Sequence, residues 1–190
     1  MPEVEIIHCQ DADEWDRWLT EHGKTRAEAW LKIPRKGAGA PGITADEAGD
    51  VALCHGWIDS QRRRLDDSYF IQRYSPRRPG SPWSLINVER VAALEAAGRM
   101  RPAGQAQVAA AKADGRWAAA YAPQRHAAEP GEFVAALAGN ERARRTYAAL
   151  GRSERYGLYL PVLKARSPAA RERALQRAIT TLERMADQGS

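Results

Sequence analysis

One short stretch of the chain, residues 52–87, combines the side-chain types that binding and catalytic sites use. It holds two tryptophans and six arginines, together with several carboxylate and amide groups. Every buried polar group needs a hydrogen-bond partner, so such a mixture does not build a plain hydrophobic core. The stretch therefore predicts a functional site, although its composition does not name a reaction.

The middle of this stretch has the pattern of a β-hairpin. Residues 57–64 and 69–74 would form its strands, around a loop at residues 65–68. A four-residue loop would pair Asp59 with Tyr74 and Gln61 with Gln72. Alternation along the strands then predicts two faces. One would carry Trp57, Asp59, Gln61, Arg63, Phe70, Gln72 and Tyr74, and the other Ile58, Ser60, Arg62, Arg64, Tyr69, Ile71 and Arg73.

Aromatic walls with a carboxylate and amides between them suit a pocket for a small polar or cationic ligand. The proline-rich loop at residues 75–82 is short enough to carry the residues after it back over the hairpin. We therefore expect a ligand-binding set of Trp57, Asp59, Gln61, Gln72, Tyr74, Arg77, Arg78, Trp83 and Asn87. The alternative is structural: Asp59 would pair with Arg77 or Arg78 and tie the loop to the sheet.

Two residues are candidates for acid or base chemistry, Asp59 on the hairpin and His55 just before it. Cys54 precedes His55, but neighbouring helix residues project about 100° apart, so the two cannot form a nucleophile–base pair. Cys54 is better explained as a small buried residue.

A glycine-rich segment at residues 37–42 matches the pattern G-x-G-x-x-G. That pattern binds dinucleotides when it lies between a strand and a helix of a βαβ unit. Here Pro41 interrupts the turn and the C-terminal half supplies no further βαβ units. We therefore expect a flexible loop and no bound cofactor.

The remaining pattern predicts an α+β protein. Its N-terminal region, residues 1–100, would be mixed α/β with the hairpin, and residues 101–190 would be helical. A first strand is expected from Glu3 to Cys9, a second at residues 29–34, and helices at 11–22, 44–55 and 84–97. Further helices are expected at 103–114, 131–137, 141–150, 154–163 and 167–187.

Several short motifs in this order resemble the bacterial YdeI/OmpD-associated family. They are Gly56-Trp57-Ile58-Asp59, Pro76-Arg77-Arg78-Pro79, Trp83-Ser84-x-x-Asn87, Gly98-Arg99-Met100-x-Pro102-Ala103-Gly104 and Ala111-Lys112-x-Asp114-Gly115-Arg116-Trp117. The resemblance extends over about residues 25–185. It implies a link to bacteriocin protection and envelope stress, and implies no catalytic activity. His55 stands where the family pattern has an aromatic residue.

The composition of the chain indicates its cellular compartment and whether a metal ion is expected. No run of 18 apolar residues is present, and the first residues do not resemble a signal peptide. The two cysteines predict reduced thiols in the cytoplasm. The four histidines are scattered and form no cluster with cysteine, so no metal is expected.

Charge is unevenly distributed along the chain. Residues 1–100 contain 14 Lys/Arg and 16 Asp/Glu, a balance of −2, whereas residues 101–190 contain 15 and 8, a balance of +7. The basic excess is spread over several helices and matches no recognised motif, so nucleic acid is not expected as the main partner.

Three functions remain open from the sequence. The first is a cytoplasmic small-ligand-binding or stress- and antimicrobial-protection protein. The second is a hydrolase-type enzyme that acts on a small natural product through Asp59 or His55. The third is a nucleic-acid-binding protein that uses the basic C-terminal helices.

Overall fold

The computed structural model describes residues 5–124 and 126–188 of the chain. The chain divides into two compact units, an N-terminal unit of Met1–Ala120 and a C-terminal unit of Tyr121–Ser190. The N-terminal unit contains a four-stranded sheet with helices, and the described part of the C-terminal unit is helical. The predicted α+β class is therefore confirmed.

The N-terminal unit is a mixed sheet flanked by helices. Its elements are β1 (Ile6–His8), α1 (Ala12–His22), β2 (Ala29–Pro34), α2 (Ala45–Cys54), β3 (Trp57–Arg64), β4 (Tyr69–Pro76), α3 (Leu85–Ala96) and α4 (Pro102–Ala113). The strand order is β1-β2-β4-β3, with β1 parallel to β2 and the other neighbours antiparallel. Part of the predicted first strand, Glu3 and Val4, lies outside the described residues.

Helix starts follow the capping residues that the sequence predicts. The Asp11 side chain accepts a hydrogen bond from the Glu14 N–H at the start of α1. Thr44 and Glu47 form a reciprocal capping box at the start of α2. Ser84 accepts from the Asn87 N–H at the start of α3. These bonds satisfy backbone donors that have no partner within the helix.

The predicted hairpin register is correct near Asp59 and wrong beyond it. Asp59 pairs with Tyr74, but Gln72 pairs with Arg62 and not with Gln61, because a β-bulge lies between Asp59 and Arg62. A bulge adds one residue to one strand and so reverses the face of every residue after it. Gln61 and Arg63 therefore leave the face of Gln72, and Arg62 and Arg64 replace them.

Ring contacts agree with this corrected register. The Arg62 guanidinium lies 4.1 Å from the centroid of the Phe70 ring, and the Arg63 guanidinium lies 4.5 Å from that of Trp30. Trp30 pairs with Arg73, on the face opposite Gln72. The two arginines thus stack on opposite faces of the sheet.

Helix α2 lies between two hydrophobic clusters. Ala48, Val51 and Ala52 pack with α1 and one face of the sheet, in a cluster that includes Trp15 and Tyr74. Leu53 and Cys54 pack with α3, α4 and Trp83 in a second cluster. Both cysteines are buried free thiols, and burial raises the pKa of Cys9 to about 11.

The C-terminal unit contains α5 (Gly131–Ala138), α6 (Glu141–Ala149), α7 (Arg152–Lys164) and α8 (Pro168–Gln188), close to the predicted bounds. Phe133, Tyr147 and Leu182 are central members of its own hydrophobic cluster. Among the residues that the structure describes, no helix is both long enough and apolar enough to cross a membrane.

Candidate functional site

The predicted site residues of the hairpin have different surroundings. Asp59 and Gln61 are exposed, whereas Gln72 and Tyr74 are buried. The Tyr74 ring packs against Trp15, and burial, with the nearby Asp59 charge, raises the pKa of its hydroxyl. Tyr74 is therefore neutral at physiological pH and acts as a core residue.

Gln72 holds the bulge in place. Its Nε2 donates to the Gln61 carbonyl at 3.0 Å, and its Oε1 accepts from Arg62 Nε at 3.0 Å. Both ends of a buried amide are thereby satisfied, which gives Gln72 a structural role.

Of the residues expected to close over the hairpin, Trp83 belongs to the second hydrophobic cluster. The Arg77 guanidinium stacks on the Trp83 ring at 3.7 Å, and Arg77 Nη1 donates to the Pro82 carbonyl. Trp83 also packs against Trp117, with ring centroids 4.9 Å apart. Arg78 is exposed and Asn87 is half-buried in the first turn of α3. Trp57 and Tyr74, in contrast, lie in the first cluster.

Trp57, from the predicted ligand-binding set, and His55, the candidate for acid or base chemistry, line a cavity of about 280 Å³ in the N-terminal unit, which we call the His55–Trp57 pocket. Its walls are Leu19, Thr20, Gly23, Lys24, His55, Trp57, Arg101, Pro102 and Ala103. Asp59, Gln61 and Trp83 are not part of this lining. The walls come from the end of α1, the junction of α2 with β3, and the start of α4.

The turn between α2 and β3 positions the two residues that name the pocket. His55 is the C-cap of α2, and Gly56 follows with a φ of 73°. A positive φ favours glycine, because other residues meet steric conflict there. The chain can therefore reverse at once, so that His55 and Trp57 face the same cavity.

His55 is held by a carboxylate that the sequence analysis did not single out. His55 Nε2 lies 2.9 Å from Asp16 Oδ1, and the His55 side chain is only 10% exposed. Arg101 also binds this carboxylate, with Nη2 donating to Oδ2 and Nε donating to Oδ1 at 3.3 Å. Such an arrangement fixes the orientation of the imidazole ring.

Electrostatics favour an ionised Asp16. Burial opposes its charge, but hydrogen bonds from Arg101 and His55 outweigh burial and hold the pKa of the carboxyl below its usual value. Asp16 therefore carries a negative charge throughout the physiological range, balanced by Arg101.

The motif at residues 98–104 explains how Arg101 reaches this position. The Arg101 N–H donates to the Cys54 carbonyl at 3.1 Å, and Pro102 begins α4. Gly104 lies so close to the end of α2 that an added Cβ would be 2.2 Å from the Cys54 carbonyl oxygen. This packing fixes α4 against α2, and it brings Arg101 to Asp16.

A second cavity, of about 250 Å³, adjoins the other side of the Asp16–Arg101 pair. It is more polar, with Asp13, Asp16, Arg99 and Arg101 among its walls together with Cys54. Among the described residues there is no group of three or more histidine, cysteine or acidic side chains arranged to hold a metal ion.

Two known family models match parts of the chain. Residues 7–107, more than half of the chain, match the model of a domain of unknown function, DUF8412. The chain belongs to the DUF8412 family. Residues 127–185 match a second model, described as bacteriocin-protection, YdeI or OmpD-associated.

The second match confirms the resemblance to the YdeI/OmpD-associated family and locates it in the C-terminal unit. The motifs at residues 56–104 lie within the DUF8412 match instead, and the motif at residues 111–117 lies outside both matches. The His55–Trp57 pocket is therefore a feature of the DUF8412 part of the chain. No curated protein and no solved structure matches the chain significantly.

Proposed function

We propose that this protein binds a small molecule in the His55–Trp57 pocket, and that this binding underlies a role in stress or antimicrobial protection. The observation that carries the proposal is a cavity of about 280 Å³ in which an oriented imidazole lies beside aromatic and aliphatic walls. Ligand sites combine mainly apolar walls with a few well-positioned polar groups in this way.

The lining favours a ligand with an apolar body and an anionic group. Leu19, Trp57 and Pro102 offer apolar surface, while Lys24, which forms no ion pair with the described residues, brings positive charge to the same cavity. No carboxylate lines it, since Asp16 lies behind His55 and opens onto the second cavity. An aromatic carboxylate is the simplest molecule with both properties.

The protective role rests on the family description of the C-terminal unit, which names bacteriocin protection. A cytoplasmic location is part of the same proposal. It is supported by two buried free thiols, which reducing compartments preserve.

Calorimetric titration with three matched probes tests the binding site. Benzoate, benzyl alcohol and benzylamine share a ring and differ in charge, and we expect benzoate to bind best. Ala103→Phe should weaken benzoate binding by at least about tenfold, because the new ring occupies the pocket. Ala106→Phe is the matched control, since Ala106 is exposed on the same helix and does not line the pocket. Equal loss in both variants, or a preference for benzylamine, would contradict the proposal.

A second candidate function is supported by the His55–Asp16 contact. A carboxylate that orients an imidazole next to a cavity is the arrangement of a general base, which would make the protein a hydrolase-type enzyme. Asp59, the other candidate, is exposed on the hairpin and lines neither of these two cavities.

If His55 acts as a base, His55→Phe should abolish turnover of a substrate and leave its binding and the fold intact. Unchanged turnover in that variant would return His55 to a packing role.

A further inference from the structure

A third cavity, of about 360 Å³, lies at the far end of the hairpin and has an unusual lining. Its walls are Arg35, Lys36, Arg62, Arg64 and Phe70. We call it the hairpin cavity. It shares no residue with the His55–Trp57 pocket, and four of its five lining residues are cationic.

The β-bulge creates this concentration of charge. In a regular hairpin Arg62 and Arg64 would lie on the face opposite Phe70, but the bulge brings both onto the face of that ring. Arg62 then stacks over Phe70 at 4.1 Å, while its Nε donates to Gln72 Oε1. These contacts orient the guanidinium, and no described residue accepts a hydrogen bond from its two terminal nitrogens.

Few carboxylates neutralise the hairpin cavity. Arg64 forms an ion pair with Asp67 in the hairpin loop. Within the described ranges 5–124 and 126–188, no acidic side chain lies within ion-pair distance of Arg35, Lys36 or Arg62. Three cations around one cavity repel each other, so an anion bound between them would be stabilised.

The glycine-rich segment at residues 37–42 starts at the edge of this cavity, directly after Lys36. Gly37 and Gly39 have φ values of 84° and 63°, and nothing lies within 4 Å of a Cβ built on either residue. The backbone beside Lys36 is therefore open to an approaching ligand. The Ala38 N–H donates to the Arg35 carbonyl at 3.0 Å, so the positive φ of Gly37 belongs to a turn that holds Arg35 and Lys36 beside the cavity.

We propose that the hairpin cavity binds a small molecule that carries two or more linked phosphate groups. Guanidinium groups pair with phosphate oxygens through two parallel hydrogen bonds, and three cations without a described carboxylate partner match the charge of a polyphosphate. A nucleic acid would need an extended basic surface, whereas residues 1–100 have a net balance of −2.

Titration calorimetry with tripolyphosphate at physiological salt provides the test, with sulfate as a single-anion comparison. We expect tripolyphosphate to bind and sulfate to bind at least about tenfold more weakly, because one sulfate reaches fewer cations. Arg35→Gln combined with Arg62→Gln should weaken tripolyphosphate binding by about tenfold or more. Arg173→Gln combined with Arg177→Gln removes the same charge from exposed positions of α8 and should leave it unchanged.

Lys36→Gln separates an effect on binding from an effect on folding, because Lys36 is exposed and makes no side-chain hydrogen bond with the described residues. It should weaken tripolyphosphate binding with an unaltered melting curve. Equal affinity in wild type and Lys36→Gln, or an equal loss in the α8 control, would overturn the proposal. A 20-nucleotide single strand that displaces tripolyphosphate and binds much more tightly would also overturn it, in favour of a nucleic-acid site.

Discussion

The His55 imidazole is bound by the Asp16 carboxylate, which the Arg101 guanidinium binds in turn. His55 could be singled out from the sequence, because it stands at the end of a predicted helix directly before the candidate site. Its two partners could not be found in this way. Asp16 precedes His55 by 39 residues, and Arg101 follows Asp16 by 85 residues. Only folding brings the end of α2, the middle of α1 and the start of α4 together.

The Asp16 carboxyl gives a prediction about acid stability. Its pKa in the folded protein lies below the usual value of 3.8, so its ionised form stabilises the fold. That contribution is complete above the usual value and is lost as the pH falls through the lower, folded-state pKa. We expect Asp16→Asn to be less stable than wild type at neutral pH and to lose less stability between pH 6 and pH 3.

Urea unfolding at a series of pH values measures this difference. Asp13→Asn is the matched control, because Asp13 is exposed on the same helix and forms no ion pair with the described residues. Parallel pH profiles for wild type and Asp16→Asn would contradict the prediction, as would an equal change in Asp13→Asn.

At the scale of elements, most of the fold follows from local signals. Asp11, Thr44 and Ser84 mark three helix starts, because side-chain caps act on backbone groups only a few residues away. The hairpin itself was also predictable. Its bulge was not, because no glycine or proline marks it and Gln72 stabilises it through contacts across the sheet. Because of this one extra residue, the predicted register placed Gln61 on the wrong face, and it did not bring Arg62 and Arg64 to the face of Phe70.

The contact between α2 and α4 leaves no room for a side chain at Gly104. Gly104→Ala should destabilise the N-terminal unit by roughly 1–3 kcal/mol, because the new methyl group forces backbone atoms apart. The close atom is the Cys54 carbonyl oxygen, part of the backbone rather than a flexible side chain. Because Arg101 is the N-cap of α4, benzoate affinity at the His55–Trp57 pocket should fall in the same variant.

Gly157→Ala is the matched comparison, since Gly157 is an interior glycine of α7 with nothing within 4 Å of an added Cβ. It should stabilise its helix by about 0.5–1 kcal/mol, because alanine loses less backbone entropy than glycine. Chemical denaturation monitored by circular dichroism distinguishes the two. A Gly104→Ala variant as stable as wild type would show that α2 and α4 separate without cost.

At the scale of the whole molecule, two family matches coincide with two compact units. The DUF8412 match lies within Met1–Ala120, and the YdeI/OmpD-associated match lies within Tyr121–Ser190. Sequence patterns predicted a change from mixed to helical structure near residue 100. They could not show that α4 packs with α2 and α3 in the second hydrophobic cluster, because that association depends on Gly104, Val108 and Ala111 meeting residues far away in sequence.

Separate cores predict that each unit folds by itself. The C-terminal unit has its own hydrophobic cluster around Phe133, Tyr147 and Leu182, all of them buried. Chains of about 60 residues can fold alone when such a core is present. We therefore expect residues 121–190, expressed alone, to give a helical circular dichroism spectrum and a cooperative thermal transition.

Leu182→Ala in the same fragment tests whether that core is responsible. Leu182 is completely buried, so the substitution should cost about 2–5 kcal/mol and abolish the cooperative transition. In the full chain, the same substitution should leave benzoate binding at the His55–Trp57 pocket unchanged, because the pocket is built from N-terminal residues alone. A fragment that is unfolded with Leu182 intact would contradict independent folding, and loss of benzoate binding in the full-length variant would show that the two units depend on each other.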